Sequence, residues 1–161
     1  HFHFIVFGGS VLASFAALHH WFPKLFGRTL DERLGKIHFA GTFVLTAAVF
    51  LLMHQLGLAG QPRRVADPYV YPSLAHLQPL NQFITWSALA LFAWQAFFVV
   101  NVVKTFAWGK PASRNPWDAN TLEWEAPSPP PHGNFERALV VTRGPYEYGL
   151  QDGPRDHTPQ A

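Results

Sequence analysis

The amino-acid sequence predicts an all-α membrane protein: three transmembrane helices followed by a Pro-rich, extended C-terminal tail. Three observations carry that expectation. Hydrophobic types make up 48% of the 161 residues and charged types only 14%, against roughly 25% charge in an average soluble domain. That is too little charge to cover a soluble globule or to keep a chain disordered. Three apolar runs each reach the ~20 residues with which a helix, rising ~1.5 Å per residue, crosses a ~30 Å hydrocarbon core. Polar sequence rich in Pro follows the third run, so the mean hydropathy of +0.03 averages an oily first two-thirds with a polar end.

The first run is Phe2 to Phe22, where the polar side chains are histidines with Ser10 and Ser14. Gly8 and Gly9 suit close packing between membrane helices, and Pro23 and Gly27 are expected to end the span. The second run is Ile37 to Leu58, apolar except for His38, Thr42, Thr46, His54 and Gln55. The third is Leu80 to Trp108, with Asn81 and Gln82 at its mouth and Asn101 and Lys104 near its far end. It is longer than a bilayer needs, which predicts tilt or an interfacial end. The chain therefore divides into a transmembrane part, residues 1–109 with spans at about 2–22, 37–58 and 80–108, and a tail, residues 110–161.

In the tail, Asn115-Pro116-Trp117-Asp118 and Pro127-Ser128-Pro129-Pro130-Pro131 oppose regular helix or sheet, because Pro lacks the amide donor and restricts the residue before it. Polyproline II or irregular chain laid on another surface is expected, anchored by Trp117 and Trp124, with the last dozen residues mobile. The first residues already belong to an apolar run and lack a secretory-signal pattern. The chain accordingly reads as a fragment of a longer polytopic protein.

Orientation follows from Lys and Arg near the spans. Lys24, Arg28, Arg33 and Lys36 in the first loop, with Lys104, Lys110 and Arg114 after the third span, stand against Arg63 and Arg64 in the second loop. The first loop and the tail should face the cytoplasm, or the matrix in an organelle; the chain start and Pro62-Arg63-Arg64 should face outward. With no Cys, there are no disulfides, thiolate metal sites or Cys-x-x-Cys-His haem attachments. A net charge of +2 gives no argument for nucleic acid. Phosphate-binding glycine loops, paired carboxylates and a nucleophile elbow are absent as motifs.

His1 and His3 carry the most chemistry. Residues i and i+2 of an α-helix lie about 200° apart around the axis and ~3 Å apart along it. Their imidazoles therefore point to opposite sides at one depth. They cannot share a metal, but each can ligate its own cofactor with Phe2 and the helix between them. Polar groups in a membrane are costly and usually functional, and His is a common axial ligand of haem. Two interfacial histidines bonded to water or a neighbouring helix remain the alternative. Arg63 and Arg64 lie on the side where positive charge is scarce, which points to fixed anions that suit the guanidinium fork, such as haem propionates. Lipid phosphates are the alternative. His19 and His20 read as interfacial anchors beside Trp21, and His38 as a capping or interhelical hydrogen bond. His54 reads as a satisfied buried His that could approach a cofactor. His76, His132 and His157 fall in loop or tail.

His1-Phe2-His3-Phe4, His20-Trp21-Phe22-Pro23-Lys24, Gly27-Arg28 and Glu32-Arg33-Leu34-Gly35-Lys36-Ile37-His38-Phe39 resemble the C-terminal part of subunit I of haem-copper oxidases, the bacterial aa3-type cytochrome c oxidases above all. His54, Leu56-Gly57-Leu58, Gly60, Pro62-Arg63-Arg64, Asn115-Pro116-Trp117-Asp118-Ala119, Thr121-Leu122-Glu123-Trp124, Pro127 to Pro131 and Asn134-Phe135 continue the likeness to about residue 135. The resemblance implies the last three of twelve spans. It implies that His1 is the proximal ligand of the high-spin haem a3 and His3 an axial ligand of the low-spin haem a. Phe2 would lie between the haems and Arg63 and Arg64 on their propionates. It further implies electron transfer from cytochrome c to oxygen coupled to proton translocation in a bacterial inner membrane. Copper B would be held by residues upstream, and the fragment alone would be inactive. Expected partners are the remainder of subunit I, subunits II and III, cytochrome c through subunit II, and lipid.

Departures from the family pattern are Leu51-Leu52 where Phe-Pro is common, Gln61 where Met usually precedes Pro-Arg-Arg, and the stretch from Val65 to Pro79. Rival readings are a quinol oxidase or nitric oxide reductase of the same superfamily, and a non-catalytic haem-binding membrane anchor. A copper-bearing docking subunit encoded nearby separates the first rivals. A carbon monoxide difference spectrum separates the last, because only a five-coordinate haem binds the gas.

Overall fold

The computed structural model describes residues 2–119 and 121–135. The ligand role expected of His1, and the mobility expected of the final dozen residues, fall outside the described residues. Helix α1 (Phe2–Ile5) passes through one π-helical turn (Val6–Val11) into α2 (Leu12–Phe26). Then come α3 (Glu32–Leu58), two 3-10 turns (Pro68–Val70 and Pro72–Leu77), α4 (Gln78–Trp94), α5 (Ala96–Trp108) and the single turn α6 (Leu122–Glu125). No strand forms among the described residues. Among the described residues, three continuous stretches are long and apolar enough to cross a membrane: Phe2–Phe26, Glu32–Leu58 and Pro72–Trp108.

The helices run beyond the apolar runs that predict them, for identifiable reasons. Pro23 does not end the first helix, which continues to Phe26. Gly27, at φ 64°, makes the stop instead, because the left-handed region suits a residue without Cβ. The π turn holds Gly8 and Gly9, both weak helix formers. Helix α3 begins one polar turn before the apolar run, where Glu32 and Lys36 form an exposed i,i+4 pair at 2.7 Å. The third run is not one uninterrupted helix: it is preceded by a 3-10 turn and broken at Gln95. In the tail, the expected absence of regular structure fails locally at α6, whose four residues contain no Pro.

The chain groups into two compact units. The first comprises residues 2–17 and 32–103, built on the packing of α3 against α4. Val49, Leu56 and Ile84 form its apolar core, lined by Phe50, Leu52, Leu77 and Leu80. Further along the same seam the buried residues turn polar. His38 and Thr42, one helical turn apart, meet Gln95 at the break between α4 and α5. Gln95 Nε2 donates to Leu91 O at 3.0 Å and to Thr42 Oγ1 at 3.3 Å. That orients the amide so that His38 Nε2–H donates to Gln95 Oε1 at 3.0 Å. Gly41 lets the Trp94 indole lie against the α3 backbone, where a Cβ would collide with the ring. Trp94 Nε1 then donates to Ile37 O at 3.1 Å.

The second unit comprises residues 18–31 and the described residues from 104 onward. Ala112 N donates to Gly27 O at 2.9 Å and Thr29 N to Lys110 O at 3.3 Å, around an isolated β-bridge between Arg28 and Pro111. Arg28 Nη1 donates to Gly109 O at 3.0 Å, just past the end of α5, and to Thr105 O at 3.3 Å, which also accepts from Gly109 N at 2.8 Å. Lys104 pairs with Asp31 at 2.6 Å. The tail is anchored by both tryptophans expected to do so. Trp124 is 1% exposed and meets the His20 ring edge-on at 5.1 Å, while Trp117 stacks on His20 at 5.6 Å and donates through Nε1 to His20 O at 3.0 Å.

Candidate functional site

Two stretches of the first unit bear the ligand chemistry, and packing explains where each stands. Helix α1 lies against the last turns of α3. The His3 imidazole stacks on Phe50, with centroids 5.9 Å apart and planes 12° from parallel, and Phe7 meets the same Phe50 ring at 5.6 Å. Phe4 meets His54 edge-on at 6.1 Å. Such aromatic pairs contribute about 0.5–1.5 kcal/mol each beyond the area they bury. His3 is exposed, and among the described residues no hydrogen bond reaches its ring nitrogens. Phe2, also exposed, meets the His3 ring edge-on at 5.5 Å.

His54 is more constrained. Its Nδ1 lies 2.8 Å from Phe50 O; a carbonyl only accepts, so that nitrogen carries the proton.

The second stretch leaves α3 at the end where α1 packs. Gly60 adopts φ 90°, with Gly60 N bonded to Gly57 O at 3.1 Å and Gln61 N to Leu56 O at 3.0 Å. This pair of bonds is a Schellman motif, which closes the helix through a left-handed residue. Pro62 then fixes φ, and Arg64 takes the left-handed value of 58°, uncommon for a residue with a Cβ. Arg63 and Arg64 are exposed. Among the described residues neither guanidinium has an ion pair or hydrogen bond. The one acid nearby in sequence, Asp67, is turned toward its own chain, where Oδ1 accepts from Tyr69 N at 2.9 Å.

These groups fit a haem in chemistry. A porphyrin supplies four nitrogens and asks the protein for one axial donor on a face, so a cluster of ligands is unnecessary. Among the described residues no group of three His, Cys, Asp or Glu could hold a metal ion. An imidazole with unengaged nitrogens, together with two unpaired guanidiniums near the same end of α3, matches an iron plus carboxylate arms.

Of the residues singled out in the sequence, the fold therefore brings His3, Phe4 and His54 together at the end that launches Arg63 and Arg64. His38 lies elsewhere, about 24 Å along the α3 axis from His54 at 1.5 Å per residue, engaged with Gln95. His20 is clasped by tail aromatics, a role beyond interfacial anchoring. Phe50, Gln78 and Gln95 drew no notice in the sequence, where an isolated Phe or Gln in a span carries no signal of its partner.

Residues 1–110 match the family model described as cytochrome c and quinol oxidase polypeptide I. The chain is 46% identical over 153 residues to cytochrome c oxidase subunit 1 of Thermostichus vulcanus, covering 94% of this chain and 26% of that protein. It is 45% identical to cytochrome c oxidase subunit 1 of Synechocystis sp., with 93% and 26% covered. To the alternative cytochrome c oxidase subunit 1 of Bradyrhizobium diazoefficiens it is 41% identical, with 99% and 28% covered. The chain thus spans about a quarter of the length of these relatives. With three spans, the shared motifs and a family match over more than half its length, this multi-pass membrane chain belongs to the cytochrome c and quinol oxidase polypeptide I family of haem-copper oxidases.

Proposed function

We propose that this chain is part of the catalytic subunit of a terminal respiratory oxidase in a bacterial inner membrane. Electrons from cytochrome c would reduce oxygen to water while protons cross the membrane. The observation that carries the reading is the meeting of His3 with Phe50, and of Phe4 with His54, at the end of α3 from which Arg63 and Arg64 depart. The relatives are named for cytochrome c oxidase, which favours cytochrome c over quinol as donor. When bound, haem supplies the one-electron redox chemistry.

Each residue then has a definite task. His3 would hold the low-spin haem, haem a, through a ring nitrogen, with Phe50 fixing the ring plane by stacking. His1 would hold the high-spin haem, haem a3, and Phe2 would stand between the two. Arg63 and Arg64 meet propionates, and their charge favours the reduced, more negative form of each haem, so they also tune potential and proton release. Copper B, subunits II and III and the remainder of subunit I complete the machine. Residues 1–109 form the membrane part, and the first loop and the tail, residues 110–161, face the cytoplasm.

The test is His3→Leu in the full subunit within the assembled oxidase, read by reduced-minus-oxidised spectra with and without carbon monoxide. The low-spin haem signature should disappear and the carbon monoxide response persist. An unaltered low-spin spectrum would refute the assignment.

A further inference from the structure

The arginine loop is tied at both ends to the first turns of α4 by side-chain amides. Gln61 and Asn81 pair reciprocally: Asn81 Nδ2 donates to Gln61 Oε1 at 3.0 Å and Gln61 Nε2 to Asn81 Oδ1 at 3.3 Å. Asn81 Nδ2 also donates to Gln78 Oε1 at 3.3 Å. Gln78, buried, passes the chain on by donating through Nε2 to Pro68 O at 3.1 Å. Gln61 stands two residues before Arg63 and Pro68 four residues after Arg64. The segment between these ties contains Pro62, whose φ is fixed, and the left-handed Arg64.

We infer that Gln61, Asn81 and Gln78 are positioning residues that hold Arg63 and Arg64 in place for the carboxylates of a bound haem. The inference rests on the function proposed above. Two flexible, exposed arginines would lose much side-chain and loop entropy on meeting an anion; a loop already clamped at both ends loses less. The left-handed Arg64 is also a conformation that persists only where surrounding structure enforces it, and the amide chain supplies that enforcement. Gln61 stands where the family usually has Met, so the amide pair is available here because of a departure from the common pattern.

The experiment uses the full subunit in the assembled oxidase and compares Asn81→Leu, Arg64→Leu and the exchange variant Gln61→Asn with Asn81→Gln, all by redox titration of the haems. Haem content and the carbon monoxide spectrum confirm assembly in each. Arg64→Leu should lower the midpoint potential, because a cation favouring the reduced form is lost. Asn81→Leu, which leaves both arginines in the chain, should shift it in the same direction by a smaller amount, and the exchange variant should recover most of that shift. Hydrogen exchange of residues 61–71 should quicken in Asn81→Leu and return toward the parent rate in the exchange variant. A shift with Arg64→Leu but none with Asn81→Leu would overturn the positioning role while sparing the propionate site. No shift with Arg64→Leu would overturn the propionate reading itself. A variant that fails to assemble is replaced by Gln61→Met, the family's usual residue, judged by the same potential and exchange measurements.

Discussion

Replacing Lys24 by Met tests what holds the tail in the second unit. The Lys24 ammonium is buried, with Nζ donating to Ala126 O at 2.6 Å and lying 5.1 Å from the centre of the Trp124 ring. A hydrogen bond from a charged donor contributes about 1.5–3 kcal/mol, and the cation–π contact about 0.5–2 kcal/mol. Met keeps the apolar stem but leaves the Ala126 carbonyl without this donor. Against that loss, removing a buried charge relieves its desolvation, so the net effect should be about 1–2 kcal/mol. Since such a change alters an equilibrium about 5–30-fold, amides of residues 111–126 that exchange through local opening should exchange faster by that factor. Hydrogen exchange on the full subunit in the assembled oxidase measures it. Lys24→Ala, which also deletes stem methylenes at ~0.8 kcal/mol each, should exceed Lys24→Met. Unchanged exchange in Lys24→Met, with a change confined to Lys24→Ala, would refute the assignment of tail docking to the ammonium.

Other substitutions probe the first unit. Gly41→Ala should destabilise by about 1–3 kcal/mol through overpacking as Trp94 is forced off Ile37 O. Thermal unfolding in micelles should show the loss, and Trp94→Ala should remove most of the Gly41→Ala penalty. Gln95→Leu and His38→Leu should each destabilise, because the first strands the buried His38 ring and the second the half-buried Gln95 amide. Hydrogen bonds between membrane helices couple by ~0.6 kcal/mol on average and up to ~1.7 kcal/mol, and a double-mutant cycle on this pair should return a value in that range. A coupling of zero would mean that the His38–Gln95 bond contributes nothing to the helix contact.

Much of the fold is legible in the sequence because a membrane imposes a one-dimensional rule. A run of ~20 apolar residues must be helical, since lipid cannot satisfy an open backbone. Helix ends were less legible. Polar residues such as Glu32 and Lys36 extend a helix into water at little cost, and Pro23 breaks one only when its neighbours cannot accommodate it. Arg63 and Arg64 were legible by chemistry, as cations where cations are scarce. His3 was legible by its place in an apolar run.

By itself, the sequence determined the class of protein, its three spans and its family membership, and it singled out the residues proposed to meet haem iron and carboxylates. Each depends on local composition or on a motif read along the chain. Only the tertiary structure decided which side chains meet. Gln61 pairs with Asn81 across 20 positions, His38 with Gln95 across 57 and Lys24 with Ala126 across 102. Those pairings depend on the rotation and register of one helix against another, and on where a turn releases the chain. Apolar periodicity is nearly silent about both in a membrane, where lipid-facing and helix-facing residues are alike hydrophobic.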